Sequence, residues 1–137
     1  MADPVDLYRE TILDHYKNPH NFGELPDADI KVREANASCG DMIEISVKLQ
    51  EASGKIGKAT LISDIKFKGL GCAISMAATS LLTDFVKGKS LKEIENLTQE
   101  DVFKLLGGSI SVGRVKCALL PLKAMEQVVK KYQGKDA

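Results

Sequence analysis

Apolar and polar positions along this chain change period several times, and the changes mark its elements. Ile43, Ile45, Val47 and Leu49 alternate with Glu44, Ser46, Lys48 and Gln50, the period-two pattern of a half-buried strand. Alternation resumes from Ala59 to Phe67, with Leu61, Ile65 and Phe67 on one side; Ile62 and Ser63 break it. Ile30 to Ala35 is a shorter candidate, and Gln50 to Lys58, with Gly54 and Gly57, reads as a hairpin loop. An antiparallel sheet of about three strands follows.

The rest of the chain has helical spacing. Asp3-Pro4 opens a first helix as cap and first helical residue, Val5, Tyr8, Ile12 and Tyr16 form its stripe, and Asn18-Pro19 ends it. A second helix puts Ala73, Ala77, Leu81 and Phe85 on one face with Ile74, Ala78 and Leu82, and stops at Gly88. Ser90-Leu91-Lys92-Glu93 fits a capping box for a short helix. Thr98 to Asp101 starts another, with Leu97 and Val102 placed as a staple, and Gly107-Gly108 ends it. The last helix carries Val115, Leu119, Leu122, Met125, Val129 and Tyr132; Pro121 either marks its start or kinks it, and Gln133 to Ala137 should fray. There is no internal repeat and no low-complexity run, so residues 1–137 read as one domain.

Composition narrows the function classes. The chain is 44% hydrophobic and 28% charged, ordinary for a globular protein. Its 19 basic and 19 acidic residues cancel, which argues against nucleic acid as the main partner. No apolar run approaches the ~20 residues that span a bilayer, and Met1-Ala2-Asp3-Pro4 lacks the form of a secretory signal. The expected setting is the cytoplasm, with no membrane partner.

The candidate chemistry lies where the period changes. Lys68-Gly69-Leu70-Gly71-Cys72-Ala73-Ile74-Ser75 joins the last strand to the second helix, with two glycines for a tight turn and Cys72 where the helix begins. Unpaired N–H groups and the positive end of the helix dipole favour a thiolate at such a place. Cys39, in Ser38-Cys39-Gly40-Asp41, and Cys117, after Arg114-Val115-Lys116, lie at similar boundaries. The odd cysteine count, with no CxxC pair, argues against disulfides. Should the sulfurs converge with Asp41, three thiolates and a carboxylate make a four-ligand set for zinc or an iron–sulfur cluster, the oxygen being the weaker ligand. Arg114 and Lys116 would offset its negative charge. Read singly, Cys39 fits an ordinary turn equally well and Cys117 a core position. His15 and His20 read as solvent-facing residues near a helix end, and Met76 as packing.

Taken together, four stretches resemble the IscU/SufU (NifU N-terminal-like) iron–sulfur assembly proteins: Leu13 to Gly23, Ser38 to Asp41, Phe67 to Ser75 and Arg114 to Cys117, in family order. The resemblance implies an α+β fold, a three-stranded antiparallel sheet with helices packed on one face. It implies a site built from Cys39, Asp41, Cys72 and Cys117, with Cys117 as first sulfur acceptor. It implies a scaffold or sulfur acceptor rather than a turnover enzyme. Such a protein takes sulfur from a cysteine desulfurase, builds a transient [2Fe–2S] cluster with iron and passes it to acceptor proteins, as a monomer or a weak, cluster-bridged dimer.

Two departures separate the branches of that family. The IscU branch has histidine before its third cysteine, where this chain has Lys116. This chain also lacks the Leu-Pro-Pro-Val-Lys segment that an Hsp70-type chaperone reads in that branch. Arg114-Val115-Lys116-Cys117 resembles the SufU branch, whose members bind Zn2+ and act as zinc-dependent sulfurtransfer partners of a desulfurase, yet the connection before it is short. A structural zinc module is a third reading, disfavoured by the carboxylate, because structural zinc sites prefer closed Cys/His sets. Lys116 is expected to pair with Asp41 when no metal is held.

Overall fold

The computed structural model describes residues 4–36, 40–54, 57–108, 110 and 112–135. Helix α1 (Pro4–Lys17) precedes three strands, β1 (Ile30–Asn36), β2 (Asp41–Gly54) and β3 (Gly57–Leu70). The cap expected at Asp3 lies outside the described residues. Helices α2 (Ala73–Val86), α3 (Leu91–Glu95), α4 (Gln99–Leu106) and α5 (Val115–Lys135) follow, with a 3₁₀ turn at Val112–Arg114. The sheet is antiparallel in the order β1-β2-β3. Helix α5 packs on β1 and β2, while α2 and α3 pack on β3. The chain has the expected α+β architecture.

Alternation explains the sheet. Val32 on β1, Ile43, Ile45 and Val47 on β2, and Ile65 and Phe67 on β3 turn inward and are buried. Phe67 is fully enclosed, which is worth about 2–3 kcal/mol relative to exposure. The opposite face is polar, and Arg33, Glu44 and Lys68 exchange ion pairs across it. The helices therefore cover one side of the sheet, and water meets the other.

The break at Ile62 and Ser63 is a β-bulge. Lys48 pairs with Asp64 but Leu49 pairs with Ile62, leaving Ser63 over, and its hydroxyl donates to the Lys48 carbonyl at 3.1 Å. The extra residue changes the parity of the strand. Ile62, rather than the expected Leu61, is the fully buried residue beyond it. The expected hairpin loop is also shorter than the sequence implies: β2 runs to Gly54 and β3 begins at Gly57, because backbone pairing continues past the apolar residues.

The helices agree with their signals in type and differ in detail. Both capping boxes form, Ser90 with Glu93 and Thr98 with Asp101, and Gly107 closes α4 with φ 95°. Leu97 and Val102 both enter the core. Pro121 neither starts α5 nor ends it: the helix begins at Val115, carries the buried Pro121 within it, and continues to Lys135 through the tail expected to fray. The stripe Leu119, Leu122, Met125 and Val129 is buried as expected. Tyr16 is 48% exposed and Phe85 37%, so neither belongs to the core stripes expected on α1 and α2. Helix α2 packs against α1, α4, α5 and β3, so it buries more than one face, including Ser75, Thr79, Ser80 and Thr83. Three of those hydroxyls bond locally: Ser75 donates to the Cys72 carbonyl at 3.1 Å, Thr79 to the Ser75 carbonyl at 2.7 Å and Thr83 to the Ser80 carbonyl at 2.9 Å, whereas Ser80 meets His15 and His20.

Candidate metal centre

One end of the sheet gathers three chemically active side chains from three elements. Asp41 begins β2, Cys72 is the N-cap residue of α2, and Cys117 stands in the first turn of α5. One carboxylate oxygen and the two sulfurs all lie within 4.8 Å of one another. Asp41 is 2% exposed and Cys117 0%, while Cys72 is partly open. The third cysteine, Cys39, lies outside the described residues, so the cluster consists of Asp41, Cys72 and Cys117 among those described.

The local chain geometry makes the gathering possible. Gly40 precedes Asp41 with φ 71°, a left-handed conformation that turns the chain into β2. Gly71 is required by space: a Cβ there would stand 2.3 Å from Ser75 Oγ and 3.1 Å from Asp41 Oδ1. The carboxylate reaches across because Asp41 Oδ1 accepts the Cys72 N–H at 3.0 Å. That contact answers one of the unpaired N–H groups at the start of α2, where no side chain of the cap residue does so. Asp41 Oδ2 and Cys72 Sγ are then 3.8 Å apart.

Ser75 completes the enclosure, a role the sequence signals only by spacing: three residues after Cys72, it returns to the same side of the helix one turn later. Its hydroxyl is fully buried, donates to the Cys72 carbonyl at 3.1 Å and lies 3.8 Å from Cys72 Sγ. Arg114, in the 3₁₀ turn, engages both sulfurs. The charge of Cys72 first, then hydrogen bonding to Cys117, raise the pKa of its guanidinium above the ordinary arginine value. Lys116 does not take the place expected for it. It is exposed, and among the described residues no ion pair joins it to Asp41. Successive helical residues are about 100° apart, so burying Cys117 turns its neighbour outward.

The donor set fits a thiophilic metal with one harder ligand. Two sulfurs and a carboxylate oxygen suit zinc or iron, and nothing in the set resembles the all-oxygen shell of magnesium or calcium. His15 and His20 belong elsewhere. They sit between α1 and α2, where His15 Nδ1 is 2.8 Å from Ser80 Oγ and His20 pairs with Asp84. His15 is therefore partly buried and bonded rather than simply solvent-facing.

The sequence profile of the NifU-like N terminal domain matches residues 7–137. The chain belongs to the NifU-like N-terminal domain family. Within that family it is 37% identical over 145 residues to the zinc-dependent sulfurtransferase SufU of Bacillus subtilis, covering 93% of this chain and 92% of that protein. It is 35% identical over 129 residues to the iron-sulfur cluster assembly scaffold protein IscU of Aquifex aeolicus, covering 94% of this chain and 78% of that protein. The crystal structure of a nitrogen-fixing NifU-like protein (N-terminal) from Brucella abortus superposes with a TM-score of 0.72 over 97% of this chain and 99% of that one; at 18% identity it speaks to the fold alone. The alignment with SufU is longer than the 137 residues of this chain, so that relative carries residues this chain lacks. The family is one of iron–sulfur cluster assembly scaffolds and includes both IscU and SufU proteins.

Proposed function

We propose that this NifU-like domain takes sulfur from a cysteine desulfurase and combines it with iron in a transient [2Fe–2S] cluster, carried as cargo to acceptor proteins. The observation that carries the reading is the meeting of Asp41, Cys72 and Cys117 within 4.8 Å from three separate elements. The chemistry of the donor set supports it. Thiolates hold iron–sulfur clusters firmly, and a carboxylate oxygen in the set loosens the grip, which suits a cluster meant to leave. Cys39 is proposed as the remaining ligand.

Sulfur arrives as a persulfide on the donor's cysteine. A thiolate of this chain, with Cys117 proposed as the first, attacks the terminal sulfur; the S–S bond breaks and the donor cysteine leaves as a thiolate. Arg114, beside both sulfurs, offsets the negative charge that gathers there. Ser75 and Asp41 hold the Cys72 turn in place through the hydrogen bonds they make to its carbonyl and its N–H. Iron, and the electrons that take persulfide sulfur to sulfide, come from outside the chain.

A second reading is favoured by the likeness to a zinc-dependent sulfurtransferase. In it Asp41, Cys72 and Cys117 hold Zn2+, which would mask the thiolates until a desulfurase docks. Anaerobic reconstitution with ferrous iron and a sulfur source separates the two. Visible charge-transfer bands with bound iron and sulfide support the scaffold. A colourless protein that retains zinc against iron, and that speeds a desulfurase, supports the zinc-dependent role. Asp41→Ala is expected to lengthen the lifetime of a reconstituted cluster, read from the decay of its visible absorption; a shorter lifetime would remove the oxygen ligand as the source of lability.

A further inference from the structure

The two described cysteines differ in what can reach them. Cys117 is fully covered in the first turn of α5, while Cys72 is partly open at the start of α2. Their sulfurs nevertheless lie within 4.8 Å of each other. A sulfur atom carried on Cys117 is therefore shielded from a reductant in solution but stands beside a second thiol. Sulfane sulfur must gain two electrons to become sulfide. Asp41, Ser75 and Arg114, the other groups described at the site, hold none to give; a pair of cysteines does.

Cys72 is placed to move. Its sulfur lies 3.8 Å from Asp41 Oδ2 and 3.8 Å from Ser75 Oγ, weak contacts for a thiol to leave. Joining the two sulfurs means closing from at most 4.8 Å to the ~2.05 Å of an S–S bond, a movement that rotation of both side chains can share.

We propose that Cys72 is the resolving thiol for sulfur held on Cys117, releasing it as sulfide and leaving a transient Cys72–Cys117 disulfide. The assignment rests on the reading of Cys117 as sulfur acceptor, and it belongs to the metal-free chain, since a metal on both sulfurs blocks the step. The Cys72 thiolate attacks the inner sulfur of the Cys117 persulfide, Cys117 Sγ. A bond forms between the two Sγ atoms, the bond from Cys117 Sγ to the outer sulfur breaks, and the outer sulfur leaves with the bonding pair and its proton as hydrosulfide. Counted from sulfane sulfur as delivered, it gains two electrons, one from each cysteine. Arg114, beside both sulfurs, offsets the charge of the attacking thiolate and of the departing anion. The competing attack, on the outer sulfur, would pass that sulfur to Cys72 and expel the Cys117 thiolate. Hydrosulfide leaves more readily than an ordinary cysteine thiolate, because hydrogen sulfide is the stronger acid. A dithiol protein then reopens the disulfide by attacking Cys72, the sulfur open to solvent, and its own two thiols become a disulfide. The electrons still originate outside the chain, but they enter after the sulfide has left.

Sulfur loading of the metal-free full chain tests this, with sulfur supplied by a cysteine desulfurase and cysteine, or separately by glutathione persulfide. The wild type should release sulfide with no added reductant, in an amount equal to the disulfide formed. After alkylation, mass spectrometry should find a chain two hydrogens lighter with the Cys72 and Cys117 peptides joined. Cys72→Ser should keep the sulfur on Cys117 and release sulfide on the order of tenfold or more slowly until dithiothreitol is added. The joined peptides are read in the wild type, so the test survives a variant that fails to fold. Release from Cys72→Ser at the wild-type rate, sulfur found on Cys72 without a disulfide, or a disulfide that includes Cys39 would overturn the proposal. Sulfur that enters from glutathione persulfide but never from the desulfurase defeats the sulfur-transfer reading and leaves the resolving step standing. Sulfur taken from the desulfurase and kept by the wild type until dithiothreitol is added defeats the resolving step alone, and a chain that takes sulfur from neither source defeats both.

Discussion

Two polar clusters tie distant parts of this chain together, and they are finished differently. Between α1 and α2, every group meets a partner inside the protein. Ser80 accepts the His20 N–H at 2.7 Å and contacts His15 at 2.8 Å. The Asn21 amide donates to Thr83 at 3.0 Å and to Asp84 at 2.9 Å. Asn21 holds φ 60°, and its carbonyl accepts the Phe67 N–H at 2.8 Å, so the loop after α1 also closes the free edge of β3. At the end of the sheet, Asp41, Cys72 and Cys117 offer ligand atoms within 4.8 Å of one another, brought there by glycine turns and helix starts; Cys72 Sγ lies 3.8 Å from both the Asp41 carboxylate and the Ser75 hydroxyl, and Arg114 stands beside both sulfurs. The first cluster satisfies itself and stabilises the fold. The second sets two sulfurs and a carboxylate oxygen within reach of one ion, which is the property of a site that can hold something else.

That contrast can be broken at either cluster. The largest effect is expected from Gly71→Ala: a Cβ 2.3 Å from Ser75 Oγ and 3.1 Å from Asp41 Oδ1 would push the carboxylate away from Cys72. Cobalt or zinc affinity should fall roughly 10–100-fold, with the melting temperature changed far less. Unaltered metal affinity would mean that Asp41 is not held for that purpose. Next, Ser80→Ala removes a fully buried hydroxyl and leaves the His15 ring and the His20 N–H without the partner it gave them. It should cost about 1–3 kcal/mol in urea unfolding while leaving metal affinity alone. Metal binding lost along with stability would show the two clusters to be one unit.

The smallest effect sharpens the comparison through pH. Burial first, and then the neighbouring His20, hold the pKa of His15 below its ordinary value near 6.5. The unfolded chain then binds a proton at His15 before the folded chain does. This contribution to stability is fully present above about pH 6.5 and is lost as pH falls toward the lower folded value. Thermal melts between neutral and mildly acidic pH should show a decline that His15→Asn flattens. An equal decline in that variant would assign the effect to other groups.

How much of this could be read from the sequence depended on whether the signal was local. Caps and glycine stops are local, and Ser90, Thr98 and Gly107 act where the sequence placed them. Alternation located the three strands but not their ends, because a strand can continue by backbone pairing alone, as β2 does to Gly54. The bulge at Ser63 was legible as a broken pattern, though not its consequence that Ile62 replaces Leu61 in the core. The stripe on α2 was misjudged because four elements surround that helix and serine and threonine bury well once bonded to their own backbone. At the candidate metal centre, the positions of Cys72, Cys117 and Asp41 followed from turns and helix starts. Which basic residue faces the sulfurs did not: Arg114 and Lys116 are equivalent in sequence, and only the phase of α5 separates them. His15 gave no sign of its bond to Ser80, since nothing local links residues 65 positions apart.

The central claim is that Asp41, Cys72 and Cys117 act on one inorganic centre. X-ray absorption at the zinc edge, on the zinc-loaded chain and on Cys72→Ser and Cys117→Ser, tests it most directly. The expected result is a mixed shell of sulfur at about 2.3 Å and oxygen or nitrogen at about 2.0–2.2 Å, with each substitution removing one sulfur. A shell without sulfur, or one that neither substitution changes, would contradict it.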